Sequence, residues 1–298
     1  MKVAFLSDGR DWSYRIAEGL AACSGKRWKL ALIVTTSDGN FPKGPLEKLG
    51  TEIRTVDHKE LVDIYNGGAF GDYDVLLFYG WSWMVPKELV EGKLCICLHP
   101  SPLPRYRGGS PIQHQIINGE RESAVSLFRM TTGLDTGSIY KQRAYSLEGH
   151  LGDVIGRIGD VGLGLTLEML DEMVEKRSKP LVQDESKATT YKRRAREESE
   201  LTEGQLDRMS GSEFFNFVRA LEDPYPNAYV RLVDGVAILK RVEPVRHADA
   251  VGVLPVNKLR SMTKEEFARV VKGGATILCS DGECVSIKEA VVKEQLPT

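Results

Sequence analysis

The sequence predicts an α/β chain, in which a parallel sheet covered on both faces is followed by a smaller β-rich domain. Three observations predict it. Short runs around residues 3–7, 29–34, 74–79 and 94–99 are almost wholly apolar, as strands buried on both faces require. Segments of helix length separate them. Past residue 205 the pattern shortens to β-like runs divided by turns, which suggests a small barrel.

Taken in order, residues 3–7 form a strand ending in Ser7-Asp8-Gly9, and Ile16, Leu20 and Ala21 mark the helix after it. The run 29–34 is closed by the polar stretch 35–40, and 74–79 and 94–99 are two further buried strands. Residues 123–130 make another. Residues 153–176 hold a helix, but Gly156, Gly159, Gly162 and Gly164 weaken its first half, which places the helix from about Leu163 onward. From 178 to 199 the chain is polar and charged without apolar periodicity, and reads as a linker. Ser210-Gly211-Ser212-Glu213 has the spacing of a capping box opening a helix through Phe214, Phe217, Val218 and Leu221. Strands follow at 228–232, 236–242, 274–279 and 284–291. The expected division is a first domain over 1–190, a linker to about 205 and a small domain over 206–298, in keeping with ~100–200 residues per domain.

Composition narrows the function classes. With 40 basic and 42 acidic residues the net charge is −2, so no bulk field draws the chain to nucleic acid or an anionic membrane. The apolar run near Met1 is too short for a signal peptide, and no stretch reaches 18 apolar residues. The cysteines Cys23, Cys95, Cys97, Cys279 and Cys284 are odd in number and lack a C-x-x-C pair, so reduced thiols in the cytoplasm are expected. Asp8-Gly9-Arg10 after the first strand lacks the glycine pattern of a dinucleotide site.

Two blocks carry the chemistry. His99 ends a buried strand, where parallel sheets place their ligand crevices, and four prolines stiffen the residues from Pro100 to Pro111. Asp135 lies between Gly133 and Gly137 just past the 123–130 strand, in a turn suited to presenting a carboxylate. A carboxylate beside an imidazole favours the protonated ring, and such a pair suits general acid–base work on an acyl centre. A lone strand-end histidine is usually structural; the second carboxyl block and the long proline loop tilt the reading toward catalysis. Trp81 and Trp83 are open to two readings, as a stacking surface or as packing beneath the sheet.

The blocks His99-Pro100-Ser101-Pro102-Leu103-Pro104-Arg105-Tyr106-Arg107-Gly108 and Leu134-Asp135-Thr136-Gly137 resemble the signatures of formyltransferases that use 10-formyltetrahydrofolate. Thr190-Tyr191-Lys192-Arg193-Arg194, Arg219 and Pro226-Asn227-Ala228 are similar to the two-domain members, which formylate methionyl-tRNA or amino sugars on nucleotide carriers. The resemblance implies a Rossmann-like catalytic domain with an OB-like barrel behind it. It implies His99 as the general acid–base and Asp135 as its holder. It implies 10-formyltetrahydrofolate as co-substrate, its pterin ring wrapped by Ser82, Trp83 and Met84 and by Thr131, Thr132, Gly133, Leu134 and Asp135.

One position departs from the family. The resemblance implies an asparagine two residues before the histidine, as an oxyanion donor, and Cys97 stands there instead. A thiol is a weak donor, and losing one such donor costs roughly 100- to 1,000-fold. A folate- or nucleotide-binding protein without turnover is therefore a competing reading. Cys95, Cys97 and His99 alternate onto one strand face, but the first and last are ~13 Å apart, too far for one zinc ion. A cysteine–histidine nucleophile pair is a further alternative.

For the acceptor, residues 206–298 carry 13 basic and 13 acidic residues, which balance. The 35–50 loop is short, with two lysines, where the tRNA enzymes carry a longer basic insertion. Both features favour a nucleotide-linked amino sugar over tRNA, since phosphate backbones are bound through neutralising cations. The sheet edges and the second domain each offer a surface through which a homodimer can form.

Overall fold

The structure is a computed structural model that describes residues 1–36, 41, 43–47 and 50–296. Its elements run β1 (Lys2–Ser7), α1 (Asp11–Cys23), β2 (Lys29–Thr36), α2 (Lys43–Glu47), β3 (Glu52–Val56), α3 (Leu61–Asn66), β4 (Val75–Tyr79), α4 (Lys87–Gly92), β5 (Cys95–His99), β6 (Arg107–Gly108), α5 (Pro111–Ile117), β7 (Glu122–Arg129), β8 (Ile139–Ser146) and α6 (Leu151–Val174). They continue with β9 (Thr190–Tyr191), α7 (Glu203–Leu206), α8 (Gly211–Ala220), β10 (Ala228–Leu232), β11 (Gly235–Val245), β12 (Leu254–Pro255), α9 (Lys264–Lys272), β13 (Thr276–Leu278) and β14 (Cys284–Lys293). Among the described residues no helix is long and apolar enough to cross a membrane.

The first compact unit comprises Met1–Pro111, Glu122–Leu147 and Gly152–Tyr191. Its sheet has the order β3-β2-β1-β4-β5-β7-β8. The first five strands are parallel, and β7 and β8 run antiparallel. The apolar runs became the inner strands: all five residues of β4 are buried, as its place between β1 and β5 demands. Two strands of this sheet escaped the sequence reading. β3 and β8 are the sheet's edges, with polar and largely exposed sequences, Glu-Ile-Arg-Thr-Val and Ile-Tyr-Lys-Gln-Arg-Ala-Tyr-Ser. An edge strand needs no continuous apolar run.

One face of the sheet carries a core of Leu6, Val34, Leu76, Phe78 and Cys95 packed with Phe70 and Leu89, all at most 1% exposed. Burying each large side chain stabilises by about 1.5–3 kcal/mol. Leu98 faces the other way, toward Ile16 and Gly162: a Cβ on Gly162 would lie 2.7 Å from Ile16 and 2.8 Å from Leu98. The glycines expected to weaken the first half of α6 instead sit within a continuous 24-residue helix starting at Leu151, twelve residues before the expected position. Close helix-to-sheet packing overrides their low propensity.

The segment read as a linker is also more ordered than its composition suggests. Leu181 pairs with Ile139 through two 2.8 Å backbone bonds, and β9 pairs in parallel with β6. The strap 181–191 thus belongs to the first unit up to Tyr191.

The second unit takes Ile112–Arg121, Glu148–Leu151 and the chain from Lys192 onward. Its five strands are ordered β10-β11-β14-β13-β12. Helix α8 opens with the anticipated box: Ser210 N–H donates to Glu213 Oε2 at 2.8 Å, and Glu213 N–H donates to Ser210 Oγ at 3.1 Å. Thr263 and Glu266 repeat the device at α9, a helix the sequence reading overlooked. Phe214, Phe217, Leu239, Phe267 and Ile287 fill the core of this unit. His150 is largely buried between two carboxylates. Its Nδ1 lies 2.6 Å from Glu222 and its Nε2 lies 3.0 Å from Glu243.

Two substitutions in one helix should have opposite signs. Gly162→Val overpacks against Ile16 and Leu98 and should cost roughly 1–3 kcal/mol. Gly164→Ala meets Arg143 only at an ordinary 3.5 Å and should stabilise by up to about 1 kcal/mol. Thermal unfolding of both variants checks this; a Tm for Gly162→Val at or above the parent's would refute the close-packing account.

Candidate active site

His99 ends β5, and its side chain is 8% exposed. The following loop folds back so that Nε2–H donates to the Tyr106 carbonyl at 2.7 Å. Ser101 Oγ donates to the Arg105 carbonyl at 2.8 Å and also lies 3.3 Å from the Tyr106 carbonyl. Ser126 anchors the loop from beneath, donating to the Ser101 carbonyl at 2.6 Å, and Gln142 donates to the Leu103 carbonyl at 3.0 Å. Prolines alone do not set this conformation; the hydroxyl and amide contacts do.

Asp135 arrives by an unexpected route. In the antiparallel β5–β7 pair, His99 faces Ser126 and Ile96 faces Arg129. The turn after β7 therefore starts at the opposite end of β5, about 10 Å from the level of His99. It then doubles back across the sheet. Asp135 takes φ 54°, in the left-handed region, and its Oδ2 comes to 3.6 Å from His99 Nδ1. The same oxygen accepts the Gly108 N–H at 2.7 Å. The two predicted residues meet, although simple placement past two strand ends does not bring them together.

Gly108 has to be glycine on two counts. Its φ is +93°, and a Cβ there would lie 2.3 Å from the Tyr191 carbonyl oxygen. Tyr191 also receives the Gly109 N–H at 2.9 Å and stacks on Tyr106 with centroids 5.0 Å apart. The strap contributes Gln183 as well, which is 5% exposed. Its Nε2 donates to the carbonyls of Asp135 and Gly137, and its Oε1 accepts from Arg107. Arg107 in turn pairs with Glu185 at 2.6 Å, which raises the guanidinium pKa through that hydrogen bond against the cost of burial. The sequence reading missed Gln183 and Glu185, because a polar stretch without periodicity carries no packing signal.

The other expected residues divide. Trp81 packs against the same core as Met130, edge-on to Phe78 at 6.1 Å, with its Nε1 buried and unpartnered among the described residues. Trp83, Met84 and Leu134 are exposed, at 40%, 91% and 58%. Of the two tryptophan readings, packing fits Trp81, and an open surface fits Trp83. Ser82 Oγ accepts from Arg10 at 2.8 Å. Thr131 and Thr136 join hydroxyls at 3.0 Å across the turn, while Thr132 and Gly133 lie exposed. Because Trp81 and Met130 share one core, the 81–85 segment and the start of the 131–137 turn converge on one face of the sheet.

Cys97 lies between these groups in chemistry as well as in sequence. Burial pushes its thiol well above the usual range, and the nearby Asp135 carboxylate pushes it further the same way. Burial also takes Cys95 up to about 12. Cys95 Sγ turns to the Leu89 carbonyl at 3.7 Å and Cys97 Sγ to that of Leu98 at 3.6 Å. A neutral, half-buried thiol is a poor nucleophile.

The chain matches the formyl transferase family over residues 1–150. It is 29% identical over 263 residues to the methionyl-tRNA formyltransferase of Rickettsia africae (strain ESF-5), covering 77% of this chain and 83% of that protein. In structure it is similar to a sugar N-formyltransferase from Shewanella sp FDAARGOS_354 (TM-score 0.61, 18% identity, 81% of this chain and 97% of that one). It is also similar to HypX from Aquifex aeolicus in complex with tetrahydrofolic acid (TM-score 0.66, 17% identity, 97% of this chain and 44% of that one). At these identities the two structural likenesses speak to the fold.

The raised thiol gives a pH test. A group whose pKa is raised stays protonated through neutrality, so Cys97 should resist iodoacetamide at pH 7, whereas exposed Cys23 reacts. Peptide mapping by mass spectrometry checks it; equal labelling of the two would mean that the Cys97 thiol is not raised above the ordinary range.

Proposed function

Since this chain belongs to the formyl transferase family, we propose that it moves a formyl group from 10-formyltetrahydrofolate to the amino group of a nucleotide-linked amino sugar. The observation that carries the proposal is the approach of His99 and Asp135 to 3.6 Å, with Asp135 fixed by the Gly108 N–H. The co-substrate supplies an activated formyl carbon. The residues present suit its flat ring: Trp83, Met84 and Leu134 are exposed, and close to Trp83 in the chain the buried Trp81 N–H has no partner among the described residues. Thr131, Thr132 and Gly133 offer exposed turn backbone beside Asp135.

In this scheme the neutral amine attacks the formyl carbon, and His99 handles the proton that must reach the departing nitrogen. Asp135 orients the ring and favours its charged form. Both ring nitrogens face protein acceptors, so a reacting group has to replace the Tyr106 carbonyl at Nε2. Cys97 stands where the family places an amide donor, and a neutral thiol gives only a weak bond to a developing oxyanion.

Support for a sugar acceptor comes from the charge balance of residues 206–298, where 13 basic residues meet 13 acidic ones. The short 35–50 loop adds to it as sequence; residues 37–40, 42, 48 and 49 lie outside the described residues. A tRNA acceptor is the second reading, favoured by the Rickettsia relative, named a methionyl-tRNA formyltransferase.

Nucleotide-linked 3-amino and 4-amino sugars and methionyl-tRNA, each incubated with 10-formyltetrahydrofolate, separate the two through release of free tetrahydrofolate. Turnover with methionyl-tRNA and none with any sugar would refute the first reading. His99→Ala should lower turnover at least about 100-fold while folate binding persists. Cys97→Asn should raise the rate, by up to roughly 100- to 1,000-fold if the amide is the missing donor. No gain would show that another group serves the oxyanion or that the site does not turn over.

A further inference from the structure

The contacts that deliver Asp135 converge on one side chain outside the pair. Gln183 Nε2 donates to the Asp135 carbonyl at 2.8 Å and to the Gly137 carbonyl at 2.7 Å. Its Oε1 accepts from Arg107 Nη2 at 2.8 Å and Nε at 3.2 Å. It therefore ties the turn bearing Asp135 to the loop bearing Gly108, whose N–H holds the Asp135 carboxylate. Only a primary amide offers two donors and an acceptor on one neutral head. A carboxylate at this position would face two carbonyl oxygens, and an apolar side chain would leave both unpaired beside a buried guanidinium. Gln183 is 48 residues from Asp135, so no local turn preference explains the contact.

We infer that Gln183 is a positioning residue: it sets the separation of Asp135 from His99, and through it the acid–base competence of the site, without touching substrate. The inference rests on reading His99 and Asp135 as the acid–base pair. The turn after β7 has to double back along β5 to reach His99, and it takes a left-handed residue at Asp135 to do so. Gln183 grips the turn at the left-handed residue and two residues beyond it, through the carbonyls of 135 and 137.

Gln183→Met keeps the length of the side chain and removes all four bonds. It should lower kcat roughly 10- to 100-fold, the scale of a small misplacement at a reacting centre, with KM for the acceptor little changed. In an Asp135→Ala background the same substitution should cost nothing more, because two residues acting through one contact are not additive. A structural role alone would cost the same in both backgrounds and would overturn the inference. A second readout does not need turnover. The His99 ring nitrogen resonances, identified by their loss in His99→Gln, should move in Gln183→Met toward their positions in Asp135→Asn. Resonances unmoved by Gln183→Met but moved by Asp135→Asn overturn the positioning role; resonances that ignore both overturn the pair reading with it. A parent chain without formyl transfer would count against the proposed function and leave this resonance test standing. If Gln183→Met fails to fold, Gln183→Glu retains the Arg107 contact and lacks the donors. The same shift is expected there, and its absence overturns the inference.

Discussion

One carboxylate oxygen, Asp135 Oδ2, is held between the Gly108 N–H and the His99 ring, and much of the first unit is arranged around that position. To present Gly108, the loop after β5 must come back over His99, which it does through Tyr106 at φ 59° and Gly108 at φ 93°. To present Asp135, the turn after β7 must reverse along the sheet. Non-glycine residues in the left-handed region cost about 1–3 kcal/mol each and persist only where their surroundings fix them. Here the surroundings are the strap: Thr189, Tyr191, Gln183 and Glu185 each bond to the loop, and Gln183 bonds to the turn as well.

How much of this was legible in the sequence follows from what each residue's signal records. β5 was legible because Cys95, Ile96 and Leu98 are buried on both faces, and an unbroken apolar run reports that directly. His99 was legible from its place at the end of that run. Asp135 was found through its flanking glycines, and the structure shows why Gly137 is there: a Cβ would lie 1.7 Å from the Arg129 carbonyl oxygen. The reversal of β7 was not legible, since an antiparallel partner beside a parallel sheet leaves the same apolar run as a parallel one. Nor was the strap. Its contribution is hydrogen bonding by Gln183, Glu185 and main chain, and hydrogen bonds between segments this far apart in the chain leave no periodicity. The start of α6 was misplaced for a related reason. Gly162 weakens a helix in isolation, and only the nearness of Ile16 and Leu98 explains its presence.

Cys97 and Asp135 have to be considered together. The carboxylate beside His99 also lies near the thiol and disfavours its ionisation, which burial has already made difficult. The site thus holds one anion and cannot readily hold a second. A neutral group at residue 97 is the arrangement this electrostatics permits, and an amide or a thiol both satisfy it. They differ in donor strength, not in charge. Under the proposed function, the departure at Cys97 leaves the carboxylate–imidazole contact intact and confines its consequence to the stabilisation of a developing oxyanion.

The Tyr106 carbonyl shows how His99 can be held firmly and still be released. It accepts from His99 Nε2 at 2.7 Å, so a ring turning toward a reacting nitrogen has to give that bond up. Leaving a buried carbonyl without a donor costs about 1–3 kcal/mol. Ser101 stands 3.3 Å from the same oxygen, with its hydroxyl proton currently given to the Arg105 carbonyl. The bond to Arg105 is part-buried, whereas the one to Tyr106 is buried. A small rotation of one hydroxyl thus satisfies Tyr106 as His99 leaves, and the cost passes to a less buried carbonyl. The loop keeps its shape meanwhile, because its grip on the strap runs through the main chain of Arg107 and Gly109 and not through His99.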